Sequence, residues 1–84
     1  MASVEKILEH ILRGTSDANV EFADVRRLLL RLRFEERTKG GHFIYRRPGI
    51  PVLINLQREG RKAKPYQVRQ VRRIILEFAL AKEL

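Results

Sequence analysis

Two rhythms of apolar residues divide the chain. Behind Ser3, a side chain suited to cap a helix, Val4, Ile7, Leu8, Ile11 and Leu12 recur at helical spacing, and Gly14 stands where that helix would end. A polar connector, TSDAN (Thr15–Asn19), follows. Phe22, Val25, Leu28, Leu29 and Leu32 then mark a second amphipathic helix over Glu21 to Leu32. Its polar positions, Asp24, Arg26, Arg27 and Arg31, leave an apolar stripe wide enough to cover one face of a sheet.

At Phe34 the rhythm changes. Phe34 to Lys39 reads as a short strand, Gly40-Gly41 as a turn, and His42 to Arg47 as a second strand with Phe43, Ile44 and Tyr45 together. PGIP (Pro48–Pro51) is turn chemistry, because proline fixes φ and glycine accepts φ > 0. Val52 to Leu56 has the strongest strand character, and Gln57 to Lys64, polar and basic around Gly60, reads as a loop. Pro65 suits a first helical turn, after which Val68, Val71, Ile75 and Phe78 keep helical spacing and Ile74 and Ala79 widen the stripe. The last few residues are expected to fray. The order helix, helix, three strands, helix predicts an α+β fold: a three-stranded antiparallel meander with helices on one face.

The length of 84 residues fits one domain with one small core. A composition 44% apolar and 33% charged is that of an ordinary soluble globular chain. With no cysteine, disulfides, thiolate nucleophiles and thiolate metal sites are excluded. No apolar run approaches the length of a membrane span, and Glu5, Lys6 and Glu9 stand where a secretory signal would be apolar. The expectation is a cytoplasmic protein. Charge adds more. Residues 1–36 hold six Lys/Arg against seven Asp/Glu, whereas residues 37–84 hold twelve against three, so the whole excess behind the net +8 lies in the second half. Such a one-sided field suits a polyanion, most often nucleic acid.

Candidate chemistry is sparse. Of two histidines, His10 lies in the first helix as a boundary residue. Without cysteine or a carboxylate cluster near His42, no metal site is expected, and no nucleophile elbow is present for a Ser-His-Asp hydrolase. His42 follows Gly40-Gly41, where missing side chains let a ligand approach, and Arg37, Lys39, Arg46 and Arg47 surround it in sequence. A neutral imidazole near phosphate-binding cations suits general-base attack of an RNA 2′-hydroxyl on its neighbouring phosphate. A strand-start histidine satisfied by the backbone is the alternative that the residues alone leave open. A second constellation is GRKAKPYQVRQVRR (Gly60–Arg73). There Arg61, Lys62 and Lys64 precede a helix N-terminus, Arg69, Arg72 and Arg73 continue the basic surface, and Tyr66 offers a ring for stacking.

Together these residues resemble the HicA toxins of prokaryotic type II toxin–antitoxin systems. KGGHFIYRRPG is similar to that family's Gly-Ser-His-His-Ile-Phe element, and INLQREGRKAKPYQVRQVRRII to the end of its longer variant, which also carries an extra N-terminal helix and an SDAN-type connector. The resemblance runs from about Ser3 to Leu76. It departs at Gly41, where the family has serine, and at Phe43, where it has a second histidine.

The resemblance implies one domain over residues 1–84, with 1–14 an additional N-terminal helix and 20–80 an α-β-β-β-α core like a double-stranded-RNA-binding domain. It implies a metal-independent endoribonuclease (mRNA interferase) that needs no cofactor and is inhibited by a HicB-type antitoxin, through which it could oligomerise. The catalytic histidine falls on His42. RNA would be held by Lys39, Gly40, Gly41, Arg46, Arg47, Lys62, Lys64, Tyr66 and Arg69. Two other classes compete: a non-catalytic RNA-binding module of the same fold, which has no use for His42, and a DNA-binding winged helix, disfavoured because the second helix lacks a basic recognition face.

Overall fold

The computed structural model describes residues 3–84; the first two residues of the expected N-terminal segment lie outside the described region. Helix α1 spans Val4–Arg13, and Ser3 caps it by accepting a 3.1 Å hydrogen bond from the Lys6 amide. Gly14 ends it in the left-handed region at φ 71°. A single 3₁₀ turn, Asp17–Asn19, occupies the connector. Helix α2 spans Phe22–Arg31 and buries Phe22, Val25, Leu28 and Leu29. It closes with Arg33 at φ 68°, the Phe34 amide donating back to the Leu29 carbonyl and the Phe34 ring tucked into the core. That closure turns the chain sharply from helix to strand.

Strands β1 (Glu35–Lys39), β2 (His42–Arg47) and β3 (Ile50–Leu56) form an antiparallel sheet in that order. The fold is thus α+β. Lys39 pairs with His42 across the Gly40-Gly41 turn, and Gly40 takes φ 61°, the conformation that a two-residue hairpin of this hand asks of its first turn residue. The second turn is shorter than PGIP suggests. Pro48-Gly49 alone makes it, with Gly49 at φ 90°, while Pro51 lies within β3. Proline is admissible there because β3 is an edge strand and its register slips between Tyr45 and Arg47, so no ladder bond from residue 51 is required.

Side-chain alternation splits the sheet into two unlike faces. Tyr45, Ile54 and Leu56 are fully buried against the helices, and Phe43 packs beside them. The opposite face carries Arg37, Lys39, His42, Arg46, Leu53 and Asn55, all exposed. Phe22 of α2 meets Phe43 edge-on at 4.8 Å between ring centroids.

The segment from Gln57 to Lys64 departs from the expected loop. It folds as a two-by-two hairpin, β4 (Arg58–Glu59) and β5 (Lys62–Ala63), turning at Gly60. β5 is stitched to the entry of α2: the Ala63 amide donates to the Val20 carbonyl and the Phe22 amide to the Arg61 carbonyl. Helix α3 follows over Pro65–Glu77 and buries Val68, Val71, Ile74 and Ile75. The C-terminus does not fray as expected but ends in a 3₁₀ turn, Leu80–Glu83, because Leu80 is buried in the core. Two ion pairs pin these connections. Arg72 of α3 makes a fork of 2.8 and 3.0 Å to Asp17 and also donates to the Ile11 carbonyl of α1. Arg47 donates to the Leu32 carbonyl at the end of α2 and to Glu83.

Candidate functional site

His42 opens β2 on the uncovered face of the sheet, directly after the glycine turn. The β2–β3 register sets Phe43 against Leu56 and Ile44 against Asn55, which brings Gln57 opposite His42 and Asn55 diagonal to it. Both side chains reach the imidazole. Nδ1 lies 3.2 Å from Asn55 Oδ1, and Nε2 lies 3.2 Å from Gln57 Nε2. The roles follow from the neighbours. Lys64 Nζ donates to Gln57 Oε1 at 3.1 Å, which turns the amide nitrogen of Gln57 toward the ring. Gln57 therefore donates to Nε2, and the ring proton sits on Nδ1, donated to Asn55.

The backbone beneath this network is fixed too. The Gln57 amide donates at 3.0 Å to Oε1 of Gln67, a side chain of α3 that is 1% exposed, and Gln67 Nε2 donates in turn to the Tyr66 hydroxyl at 3.4 Å. Histidine and basic helix start, far apart in sequence, are thus one continuous hydrogen-bonded unit. Gln57 is the joint between them.

The remaining sequence-derived residues divide by position. Lys39 is paired with His42 in the β1–β2 register and is exposed on the same face. Gly40 and Gly41 form the rim of the site, and a Cβ built on either meets nothing within 4 Å. Arg46 lies two positions beyond Ile44 on that face, in an exposed ion pair with Glu35 at 3.1 Å. Lys62 sits on β5 opposite Glu59, one residue from the Lys64 segment. Tyr66 is 55% exposed and free to stack. Arg69 is farther along α3, in the field of Asp17, and among the described residues no hydrogen bond or ion pair joins it to the histidine network. Arg47 is committed to α2 and the C-terminal turn, away from His42. Near Arg46, a depression of about 320 Å³ is lined by Glu35, Glu36, Arg37, Ile44, Arg46 and Leu53.

Under the sheet, Glu36 is the anchor. It accepts from Arg26 at 2.7 and 3.1 Å and from the Tyr45 hydroxyl at 2.6 Å. The Arg26 guanidinium holds the Glu36 carboxyl below its ordinary range, and burial together with Glu36 pushes the Tyr45 phenol up. The strand that presents His42 is therefore locked from behind to both α2 and β1.

Asn55, Gln57 and Gln67 belong to the hydrogen-bonded network at His42, and the sequence reading passed over them. The alternation inward at Ile54 and Leu56 was the available signal for the first two, since it turns positions 53, 55 and 57 to the face of His42. No sequence signal marked Gln67, a polar residue inside an apolar helix stripe. Among the described residues, no group of three metal-ligating side chains forms and no helix is long and apolar enough to cross a membrane. No protein-family model matches the chain, nor does any curated protein or solved structure.

Proposed function

We propose that the chain is a HicA-type toxin: a metal-independent endoribonuclease that cleaves mRNA in the cytoplasm, with His42 as general base. The observation that carries this reading is the setting of His42. An imidazole on an open, basic face is oriented through both nitrogens, with Nε2 free of its proton and a lysine one side chain away. A module that only binds RNA has no need of such an arrangement. The order of α2, the three strands and α3 also fits the α-β-β-β-α layout of a double-stranded-RNA-binding domain, with α1 added.

In the reaction, His42 Nε2 takes the 2′-hydroxyl proton as the 2′ oxygen attacks phosphorus. The bond to the 5′ oxygen breaks, leaving a 2′,3′-cyclic phosphate and a 5′-hydroxyl. Lys64 and Tyr66, both tied into the histidine network, are the donors nearest in the hydrogen-bond chain for the departing oxygen. Lys39, Arg46 and Lys62 contribute phosphate contacts, which give affinity and register without reading sequence. A HicB-type antitoxin with an acidic surface would cover this face and hold the toxin in check.

The test is single-stranded RNA incubated in EDTA with wild type and His42→Ala. Cleavage by wild type, reduced by about 10²–10⁴-fold in the variant, is expected for the loss of a positioned general base. Undiminished cleavage by His42→Ala would overturn the reading. Salt-sensitive binding by both proteins without cleavage by either would favour the RNA-binding module.

A further inference from the structure

The hydrogen bond from Gln57 has a consequence for any reaction at His42. It orients the ring, yet it also occupies the lone pair that a general base must use. Lys64 maintains that occupancy, because its ammonium holds the Gln57 oxygen and so points the amide nitrogen at Nε2. Lys64 is itself half-buried and lies immediately before α3, in the basic segment with Arg61 and Lys62.

We propose that Gln57 and Lys64 form a latch on His42 that is released by the substrate's own phosphate. In the free protein, Lys64 orients Gln57, and Gln57 keeps the ring proton on Nδ1 with Nε2 covered. A phosphate oxygen, carrying full negative charge, is a stronger acceptor for Lys64 than a neutral amide oxygen. When RNA brings one, Lys64 turns to it and Gln57 loses the contact that fixed its orientation. Its side chain is then free to rotate away, exposing Nε2 as the base. The proton is already on the far nitrogen, held by Asn55, so no tautomer change stands between binding and attack. Gln57 is in this account a positioning residue. It prevents His42 from engaging other donors until a phosphodiester is in place. This step rests on the ribonuclease reading, whereas the resting latch does not.

Gln57→Glu separates the latch from a general packing role. A carboxylate keeps the size of the side chain and strengthens its bond to Lys64, but it can only accept hydrogen bonds. It would place a proton on Nε2 and block the base, while Asn55 Oδ1 still favours a proton on Nδ1. The expected order is therefore inverted relative to simple loss of a contact: Gln57→Glu lowers kcat by on the order of 10²-fold, toward the level of His42→Ala, whereas Gln57→Ala, which deletes a side chain already turned away in the bound state, costs far less. KM stays near wild type in both, while Lys64→Ala raises KM as well.

The deciding measurement is ¹⁵N NMR of the His42 ring, which reports which nitrogen carries the proton. Wild type should show the proton on Nδ1 with Nε2 bare, and Gln57→Glu should show Nε2 protonated. Saturation with a 2′-O-methyl oligoribonucleotide, which cannot be cleaved, should shift both the Nε2 resonance and the Gln57 side-chain amide. A wild-type proton on Nε2, or an unchanged ring in Gln57→Glu, would overturn the latch. Resonances unmoved at saturation would overturn its release. A wild type that shows the expected ring state but neither binds nor cleaves RNA would leave the resting latch standing and sink the ribonuclease reading together with the release step.

Discussion

Tyr45 and Glu36 face each other across β1 and β2, and the phenol donates to the carboxylate over 2.6 Å beneath the strand that presents His42. Tyr45 is fully buried and Glu36 is charged, so the bond belongs to the stronger class of hydrogen bonds. Removing the hydroxyl in Tyr45→Phe is expected to lower stability by about 1.5–3 kcal/mol. Because Tyr45 and His42 point to opposite faces of the sheet, the rate of the proposed RNA cleavage should stay at the wild-type level in the folded variant. Urea denaturation and RNA cleavage, measured on the same preparation, check both halves. A variant that is fully stable but slow would mean that the site is coupled to the core in some other way.

The two glycines of the β1–β2 turn should respond differently to substitution. Gly40 sits at φ 61°, where an L side chain is strained, so Gly40→Ala is expected to cost about 1 kcal/mol or more. Gly41 has no such backbone requirement, and a Cβ there meets open space. Gly41→Ser, which introduces the residue usual in HicA toxins, should fall within about 0.5 kcal/mol of wild type. If the hydroxyl assists phosphate binding at this rim, KM for RNA falls in Gly41→Ser, and thermal melts together with initial rates decide it.

How much of this was legible beforehand differs between framework and site. The helices were readable because their apolar positions repeat at a period that only a helix satisfies, and Ser3, Gly14 and Pro65 mark their ends by local chemistry. His42–Arg47 was readable as a strand because glycine and proline turns bracket it. The hairpin at Arg58–Ala63 was not, since its stability comes from pairing with Val20 and Phe22, residues distant in sequence. Arg47 looked like one more cation beside His42. Alternation from the buried Tyr45 puts it on the helix side of β2, and the bonds to Leu32 and Glu83, invisible in a run of arginines, assign it to holding the fold. Gln57 was hidden for a related reason. Its importance lies in what stands across the strand and what stands at the helix start, and both depend on tertiary register.

Phosphate contacts can be counted by salt. Among the described residues Lys39 and Lys62 make no side-chain hydrogen bond or ion pair; Lys39 stands across from His42 on β1, and Lys62 lies on β5, opposite Glu59. On single-stranded RNA each neutralised phosphate contributes about 0.7 to the slope of log K against log salt. Lys39→Ala and Lys62→Ala are each expected to reduce the slope by about that amount, and the double variant by about twice as much. Binding of a non-cleavable oligonucleotide, titrated at several salt concentrations, gives the slopes. A single variant that lowers affinity without changing the slope would show that its lysine does not touch phosphate.

Stability should fall on the acid side, where Asp17 and Glu36 titrate, as does the exposed Glu83 that Arg47 also holds low. Arg72 holds Asp17 below its ordinary 3.8, chiefly through their hydrogen bonds, and Arg26 holds Glu36 below its ordinary 4.5, with the Tyr45 hydroxyl adding to the effect. Both groups bind protons more weakly in the folded chain than in the unfolded one. Their contribution is therefore complete above the ordinary carboxylate range and is lost as pH falls through the lowered folded values. Wild-type stability is expected to be flat from neutral pH to about pH 5 and to decline below it. Asp17→Asn removes one of these linked groups while keeping a side chain that can still accept from Arg72. That variant should be less stable at pH 7 and should lose less on acidification, so the two stability curves converge at low pH. Curves that stay parallel between pH 7 and pH 3 would mean that the Asp17–Arg72 pair contributes nothing to the acid transition.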